Sequence, residues 1–203
     1  MTTKLARLSL ALGLSAVALL PRDAGAVTLD FQSLEQVNAA VNNVGTSYSE
    51  DGFTFTKGGA EPFDFAVFGT LESRYPGSTA LFNNTVSGLT KLTRDGGGVF
   101  SIETIDLANL NGTGTVTVTF TGTKLDLSTV VQAFTFDSFG ALTTFSFDPG
   151  FVNLASLEWG QDAPFHQFDN LVVNEGAPVP EPSTLLLLGL GTLGFVRRVR
   201  SQG

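Results

Sequence analysis

The chain has 203 residues and a formal net charge of −8, which is enough length for one domain with a proper hydrophobic core. It contains no cysteine and a single histidine, His166, and this excludes disulfide scaffolds, thiol catalysis, zinc fingers and multi-histidine metal sites. Between Val27 and Pro180 stand five basic and seventeen acidic residues, a net charge of −12. This charge repels nucleic acid, so no nucleic-acid partner is expected.

The N-terminus has the features of a secretory signal peptide. Two basic residues precede the apolar run 8–20, and Ala24 and Ala26 frame an A-x-A cleavage pattern. We therefore expect residues 1–26 to direct export through the Sec translocon and to be removed by signal peptidase, leaving Val27 as the first mature residue. The alternative is a retained signal anchor, against which the short apolar run and the small-residue site both count.

Alternation of apolar and polar residues runs through the centre of the chain and is typical of half-buried strands. In 115–121 it places Val116, Val118 and Phe120 on one face and threonines on the other. Further strands are predicted at 27–31, 53–57, 63–68, 99–107, 130–137, 143–147, 154–159 and 168–174. Short strands separated by turn signals predict one all-β domain, residues 27–178, folded as an antiparallel β-sandwich.

One short helix is predicted at 34–41. Ser33 and Gln36 have the spacing of a capping box, and Leu34, Val37 and Val41 share one helical face.

Phenylalanine is the predicted filler of the core, because the chain contains eighteen of them. Trp159 and Tyr75 are the better candidates for contact with a glycan, since their polar tips suit a partly wet site. Core packing at the end of a strand is the alternative for Trp159.

The segment 97–173 resembles the jelly-roll and carbohydrate-module-like β domains. The resemblance is carried by 98–107 (GVFSIETIDL), 118–123 (VTFTGT) and 165–173 (FHQFDNLVV). It implies a jelly-roll-like architecture and names no substrate.

Jelly-roll modules of this kind often hold a structural Ca²⁺ between the first and last strands. The resemblance then implies Asp30 and Asp169 as ligands, with Asn170 nearby, because Ca²⁺ prefers oxygen ligands. The alternative is that Asp169 and Asn170 end a turn or form local hydrogen bonds. No other cofactor is expected.

The sequence offers little support for catalysis. It contains neither G-x-S-x-G nor H-E-x-x-H, and His166 next to Phe165 and Phe168 is best interpreted as structural. Paired carboxylates for glycoside hydrolysis cannot be singled out among so many acids. We therefore expect no catalytic residues.

The C-terminal segment 179–203 contains Val179-Pro180-Glu181-Pro182, the uncharged run 185–196 and the basic residues Arg197, Arg198 and Arg200. Prolines keep a helix from beginning much earlier than the apolar run. A short transmembrane helix is predicted here, and the basic cluster should remain in the cytoplasm. A buried core helix is the alternative.

This order of motif, apolar helix and terminal arginines resembles the PEP-CTERM sorting signal of Gram-negative bacterial exported proteins. In that family exosortase, a membrane-embedded cysteine protease-transpeptidase, is thought to recognise the Pro-Glu-Pro region and remove the helix. The resemblance implies transient anchoring in the inner membrane, followed by transfer to the cell surface or release. A GPI anchor signal is the rival interpretation, which the Pro-Glu-Pro and the arginines fit poorly.

Three functions are compatible with these features. The leading hypothesis is a non-enzymatic surface or extracellular-matrix protein with a structural or adhesive role in an exopolysaccharide or biofilm. The second is a glycan-binding module with a specific carbohydrate ligand, using Trp159 and neighbouring polar residues. The third is a secreted hydrolase.

Overall fold

The computed structural model describes residues 25–59, 63–112 and 114–175. These residues form thirteen β-strands and two short 3₁₀ segments, Gln32–Leu34 and Asp95–Gly97. The strands are β1 (Ala26–Leu29), β2 (Val41–Gly45), β3 (Ser47–Glu50), β4 (Phe53–Gly58), β5 (Phe65–Phe68), β6 (Leu81–Asn83), β7 (Gly88–Arg94), β8 (Phe100–Asn109), β9 (Val116–Lys124), β10 (Thr129–Phe136), β11 (Thr143–Ser146), β12 (Leu154–Gln161) and β13 (His166–Glu175).

The strands lie in two layers. The first has the order β2-β5-β6-β13-β8-β11, with β1 also paired to β13. The second has the order β3-β4-β7-β12-β9-β10, and a bridge between Phe100 and Leu154 connects the two layers. The pairs within each layer are antiparallel. The predicted all-β antiparallel architecture is confirmed.

Aromatic rings fill the space between the layers. Phe168 of the first layer packs edge-on against Trp159 of the second at 5.0 Å between ring centroids, and Phe100 packs against Phe53 at 5.5 Å. In β9 the residues predicted to face inward, Val116, Val118 and Phe120, are all buried. Burying each such side chain contributes about 1.5–3 kcal/mol, which offsets much of the ordering entropy of this glycine- and threonine-rich chain.

A second, smaller core lies on the outer face of the first layer. It consists of Ala66, Phe68, Phe82 and Leu110, with Tyr75 and Phe165 packed against it. The segment 69–80 is attached to this face, because the side-chain Nε2 of Gln167 on β13 donates to the backbone oxygen of Arg74 (2.9 Å).

The strand register defines two ends of the sandwich. At the terminal end Glu175 pairs with Phe100, Phe100 with Leu154 and Leu154 with Lys124, and Ala26 at the start of β1 pairs with Asn174. At the opposite, distal end the pairs are His166 with Asn109, and Gln161 with Gly88. The two termini of the described domain therefore leave from the same end.

The predicted helix at 34–41 is wrong. The chain forms a single 3₁₀ turn at Gln32–Leu34, becomes extended at Glu35, and enters β2 at Val41. The hydroxyl of Ser33 bonds the hydroxyl of Tyr48 (2.8 Å) instead of capping a helix. Tertiary contacts thus prevailed over the local helical pattern.

Four strands were not predicted from the sequence: β2, β3, β6 and β7. Burial alternates along β7, but the apolar residues of its sequence do not follow this alternation. Thr90 is buried together with Leu92, whereas Leu89 is exposed. Strand β3 is polar (SYSE) and lies at the edge of its layer, paired to β4.

Within the ranges described above, no helix has both the length and the apolar character needed to cross a bilayer. The predicted signal peptide up to Ala24 and the predicted transmembrane helix at 185–196 lie outside the described residues.

Candidate functional site

An open cleft of about 540 Å³ lies at the distal end of the sandwich. Strand ends and loops of both layers form its walls. The lining residues are Phe63, Phe82, Asn83, Asn84, Val86, Ser87, Leu110, Gln161 and Phe165. The volume falls in the range of small-molecule sites, about 300–1,000 Å³.

Hydrogen bonds fix the walls of the cleft to one another. The backbone N–H of Ser87 donates to the backbone oxygen of Gln161 (2.8 Å), and the N–H of Leu110 donates to the oxygen of Phe165 (2.9 Å). The side-chain Nε2 of Gln161 donates to the backbone oxygen of His166 (2.8 Å). The cleft is therefore preformed from three chain segments.

Asn83 shapes the loop that closes the cleft on one side. Its Oδ1 accepts from the N–H of Thr85 (3.2 Å), and its Nδ2 donates to the backbone oxygen of Leu89 (3.2 Å). The hydroxyl of Thr85 donates to the backbone oxygen of Phe63 (2.7 Å). A Cβ at Gly88 would lie 2.6 Å from Asn83 Oδ1, so glycine is needed there for the close approach.

The lining combines aromatic rings with amides. Phe63 is 56% exposed, Phe165 is half-buried and Phe82 is buried at the base. Asn84 and Gln161 carry amide groups, and the lining residues of the described chain include no charged side chain. Such a surface suits an uncharged ligand with one apolar face and several hydroxyl groups.

Trp159, which the sequence singled out for glycan contact, lies elsewhere. Its side chain is 1% exposed and packs between the layers against Phe120 (5.2 Å) and Phe168 (5.0 Å). The ring has no face available to a ligand, so the core-packing alternative is the correct one.

Tyr75 packs against the second core and not against the cluster that contains Trp159. Burial raises the pKa of its hydroxyl above the ordinary value. The structure thus places the two candidates for glycan contact in different parts of the domain.

Asp169 carries a buried ionisable group on strand β13. Its carboxylate is fully buried; Oδ1 accepts from the N–H of Asn170 (2.8 Å), and Oδ2 has no hydrogen-bond partner within the described chain. Burial raises the pKa of this carboxyl from 3.8 to about 7; the Ser78 hydroxyl opposes the rise, and the charges of Asp106 and Asp30 add to it.

Asp30, the other predicted calcium ligand, is close enough to contribute to the raised pKa of Asp169. Its Oδ1 already accepts from the N–H of Gln32 (3.1 Å). Asn170 donates through Nδ2 to Asp106 Oδ2 (2.8 Å) on the neighbouring strand β8. The local hydrogen bond that the alternative interpretation expected is the one from the N–H of Asn170 to Asp169 Oδ1. No set of three or more His, Cys, Asp or Glu side chains among the described residues is arranged to hold a metal, whereas the unpartnered Oδ2 of Asp169 fits a single ligand position.

His166 is buried with its ring 6.5 Å from that of Phe168. Burial lowers its pKa from 6.5 to about 3, and Nε2 has no partner in the part of the chain that is described. The imidazole is therefore neutral at physiological pH and lies in the core.

The remaining sequence predictions concern the termini. Ala26 and Val27 begin β1, so the predicted cleavage would remove the first residue of that strand. Ala24, the sorting motif Val179-Pro180-Glu181-Pro182 and the basic residues Arg197, Arg198 and Arg200 lie outside the described residues.

Sequence reasoning did not identify the cleft. Phenylalanine as a whole was assigned to the core, which included Phe63 and Phe165, and Asn83 and Asn84 were not singled out. No spacing rule connects residues that come together from segments so far apart in the sequence. The polar run Asn83-Asn84 beside Phe82 was the one local signal available.

Comparison with solved structures finds the following similarities. An aspartate-to-alanine mutant of CBM29-2, a family 29 carbohydrate-binding module, is 15% identical, with a TM-score of 0.43 over 78% of this chain and 98% of the module. A further family 29 module is 16% identical, with a TM-score of 0.41 over 69% of this chain and 91% of the module. The enzymatically active domain of tailspike protein 4 of bacteriophage CBA120 is 15% identical, with a TM-score of 0.30 over 72% of this chain and 20% of that one.

No curated protein matches the chain. The model of the PEP-CTERM protein-sorting motif matches residues 178–201, which confirms the resemblance seen in the tail. The chain therefore carries a PEP-CTERM protein-sorting motif, and it is an exported protein, transiently anchored in a membrane, that exosortase sorts.

Proposed function

We propose that this protein is a non-enzymatic component of the cell surface or extracellular matrix, with a structural or adhesive role in an exopolysaccharide. In this proposal residues 1–26 are a signal peptide that the Sec translocon and signal peptidase process. The tail spans the inner membrane with the sandwich outside and the terminal arginines in the cytoplasm, until exosortase cuts near Pro180-Glu181-Pro182. The matched sorting motif carries the export part of this proposal.

The binding part of the proposal is that the distal cleft holds an uncharged sugar of the polysaccharide. The observation that supports it is the combination of an exposed ring, Phe63, with the exposed amide of Asn84 in a preformed cleft. The apolar face of a sugar ring packs on an aromatic ring, and its hydroxyls bond amide groups. The proposed glycan site is therefore the cleft and not Trp159.

The hydrolase alternative has no support at this cleft. Glycoside hydrolysis needs two carboxylates on either side of the scissile bond. The lining residues that the structure describes supply none.

Binding is tested with a glycan array and by calorimetry on the mature domain. Phe63→Ala should weaken the binding of a neutral oligosaccharide about tenfold, which corresponds to about 1.4 kcal/mol of lost packing. Phe139→Ala is the matched control, because Phe139 is also exposed at the distal end but does not line the cleft. If no uncharged glycan binds, or if both variants lose binding equally, the cleft is not the sugar site.

Processing is tested by intact-mass spectrometry of the exported protein. We expect a product that lacks residues 1–26 and the apolar tail. Replacing Pro180, Glu181 and Pro182 by alanine should leave a full-length tail in the membrane fraction. An exported wild type that keeps its last 20 residues, with a mutant that reaches the same place, contradicts the proposal.

A structural Ca²⁺ at Asp30 and Asp169 remains part of the proposal. The buried, unpartnered Oδ2 of Asp169 supports it. The ion would supply positive charge to a locus that holds Asp30, Asp106 and Asp169. It would act on stability and not on sugar chemistry, since the ligands lie outside the cleft lining.

A further inference from the structure

The hairpin that joins β9 to β10 presents two leucines to solvent. Leu125 is 62% exposed and Leu127 is 80% exposed. The turn is well fixed: the N–H of Leu127 donates to the backbone oxygen of Lys124 (3.0 Å), and Asp126 Oδ1 accepts from the N–H (3.0 Å) and the hydroxyl (2.6 Å) of Ser128. An ordered turn therefore holds both side chains outward.

Leu127 also has an unfavourable backbone conformation. Its φ is +66°, the left-handed region in which glycine or asparagine is favoured and a leucine is strained. Neither leucine belongs to a core cluster of the described residues. Folding explains neither their exposure nor the choice of leucine at this position, and unexplained strain of this kind often marks a functional surface.

The location of the hairpin identifies what it can meet. Lys124 pairs with Leu154, Leu154 with Phe100, and Phe100 with Glu175, the last described residue. The path from β9 through β12 and β8 to β13 has three strand-to-strand steps of about 4.8 Å each. The hairpin therefore lies about 15 Å from the point where the chain leaves the domain. The sorting motif begins at residue 178, three positions after Glu175.

The chain between the domain and its apolar tail is short. Nine residues lie between Glu175 and Leu185, the first residue of the apolar run, and the ten steps from Glu175 to Leu185 span at most about 35 Å when fully extended. While the tail is anchored, the terminal end of the sandwich is consequently held close to the bilayer.

The surface beside the two leucines is apolar as well. A groove of about 330 Å³ is lined by Val99, Lys124, Leu125, Asp126 and Asn153, and the neighbouring Val152 is 40% exposed. Lys124 and Asp126 balance in charge, so the groove offers apolar contact and no net attraction to an anionic headgroup.

We propose that the 125–127 hairpin tip inserts into the interface of the lipid bilayer that anchors the tail, and that it seats the terminal end of the sandwich on the membrane until exosortase acts. Two leucines bind a bilayer weakly by themselves. The tether raises their effective concentration at the surface, so a weak contact is sufficient. The same arrangement points the distal end away from the membrane.

The experiment uses the absence of cysteine from the chain. Leu127→Cys is introduced into the full chain, labelled with an environment-sensitive nitrobenzoxadiazole dye, and reconstituted into vesicles of phosphatidylethanolamine with a minor share of phosphatidylglycerol. Val86→Cys is the matched control, since Val86 is 59% exposed but lies in the cleft lining of the distal end. Flotation of the vesicles verifies that the tail is inserted, and emission from the buried Trp159 verifies the fold.

We expect the dye at position 127 to shift its emission to shorter wavelength and to be quenched by doxyl-labelled lipid, at least threefold more than the dye at position 86. Replacing Leu125 by Ser in the labelled variant should reduce this quenching. Equal quenching at both positions in floating vesicles overturns the proposal. Protection of position 127 that depends on co-reconstituted exosortase also overturns it, because the partner is then a protein.

Discussion

His166 and Asp169 lie three residues apart on β13 with their side chains on opposite faces of the strand. His166 faces the core with Phe168, whereas Asp169 faces the outer polar locus of Ser78 and Asp106. Burial lowers the pKa of the first to about 3 and raises that of the second to about 7. Both groups are thereby driven toward their neutral forms, and their contributions to the pH dependence of stability have opposite signs.

We predict that Asp169→Asn stabilises the domain at alkaline pH. The pKa of Asp169 is 3.8 unfolded and about 7 folded, so its contribution to stability is full below pH 3.8 and is lost as the pH rises through 7. Over this pH range the ionisation of Asp169 lowers the free energy of unfolding by at most about 4 kcal/mol. Urea unfolding in EDTA measures the free energy of unfolding of both proteins. The difference between the variant and the wild type should be smaller at pH 4 than at pH 8. The same difference at both pH values contradicts the raised pKa.

We predict that His166→Phe removes a contribution to stability that rises with pH, opposite in sign to that of Asp169. The imidazole has a pKa of 6.5 unfolded and about 3 folded, so its contribution is full above pH 6.5 and is lost as the pH falls toward 3. Between pH 3.8 and 6.5 the two groups oppose each other in the wild type. The variant should therefore lose stability steadily from pH 4 to 7, measured by denaturant midpoint, while the wild type changes less over that window.

Calcium should raise the melting temperature of the EDTA-treated domain. A ligand at a hundred times its Kd stabilises by about 2.7 kcal/mol. Because Ca²⁺ binds the ionised carboxylate, the rise should be larger at pH 8 than at pH 6. It should disappear in Asp169→Asn and fall in Asp30→Asn, with magnesium as the control ion; no calcium-dependent rise in the wild type excludes the site.

Gly88→Ala should distort the cleft. Its Cβ would lie 2.6 Å from the amide of Asn83, which forces the loop to move and costs about 1–3 kcal/mol. Gly160→Ala is the matched control, since its Cβ meets only Asp162 at 3.7 Å. Chemical denaturation should show a lower free energy of unfolding for Gly88→Ala and little change for Gly160→Ala. Glycan affinity should likewise fall in Gly88→Ala and change little in Gly160→Ala.

Leu127→Asn should stabilise the domain by up to about 1 kcal/mol, because asparagine tolerates a positive φ better than leucine. Thermal unfolding of the domain without vesicles measures this. A destabilised variant would indicate that the leucine packs in solution, against its 80% exposure.

The sequence predicted those parts of the fold that local alternation encodes. The inward set Val116, Val118 and Phe120 was identified correctly because period-two burial leaves a local pattern. Strand β7 was not predicted because a threonine, Thr90, occupies a core position in it. The helix at 34–41 was predicted because capping and periodicity are also local, whereas the contact from Tyr48 to Ser33 is not.

The cleft could not be predicted for the same reason. Phe63, Phe82, Leu110 and Phe165 are far apart in sequence and meet only through strand order. The burial of Trp159 likewise depends on Phe168 of the opposite layer. By contrast, the sorting motif is a contiguous signal, and the sequence was sufficient for it.

Strand β13 runs from the distal cleft to the residue from which the tail departs, and it is hydrogen-bonded to β1 and β6 on one side and to β8 on the other. Tension between an immobilised C-terminus and a polymer gripped next to Phe165 would pull along the length of this strand. Its flanking hydrogen bonds would then share the load simultaneously, in shear, and would not open one at a time as in a peeled hairpin. If the protein is held in a matrix as proposed, this arrangement would resist mechanical extraction in the direction in which the matrix pulls.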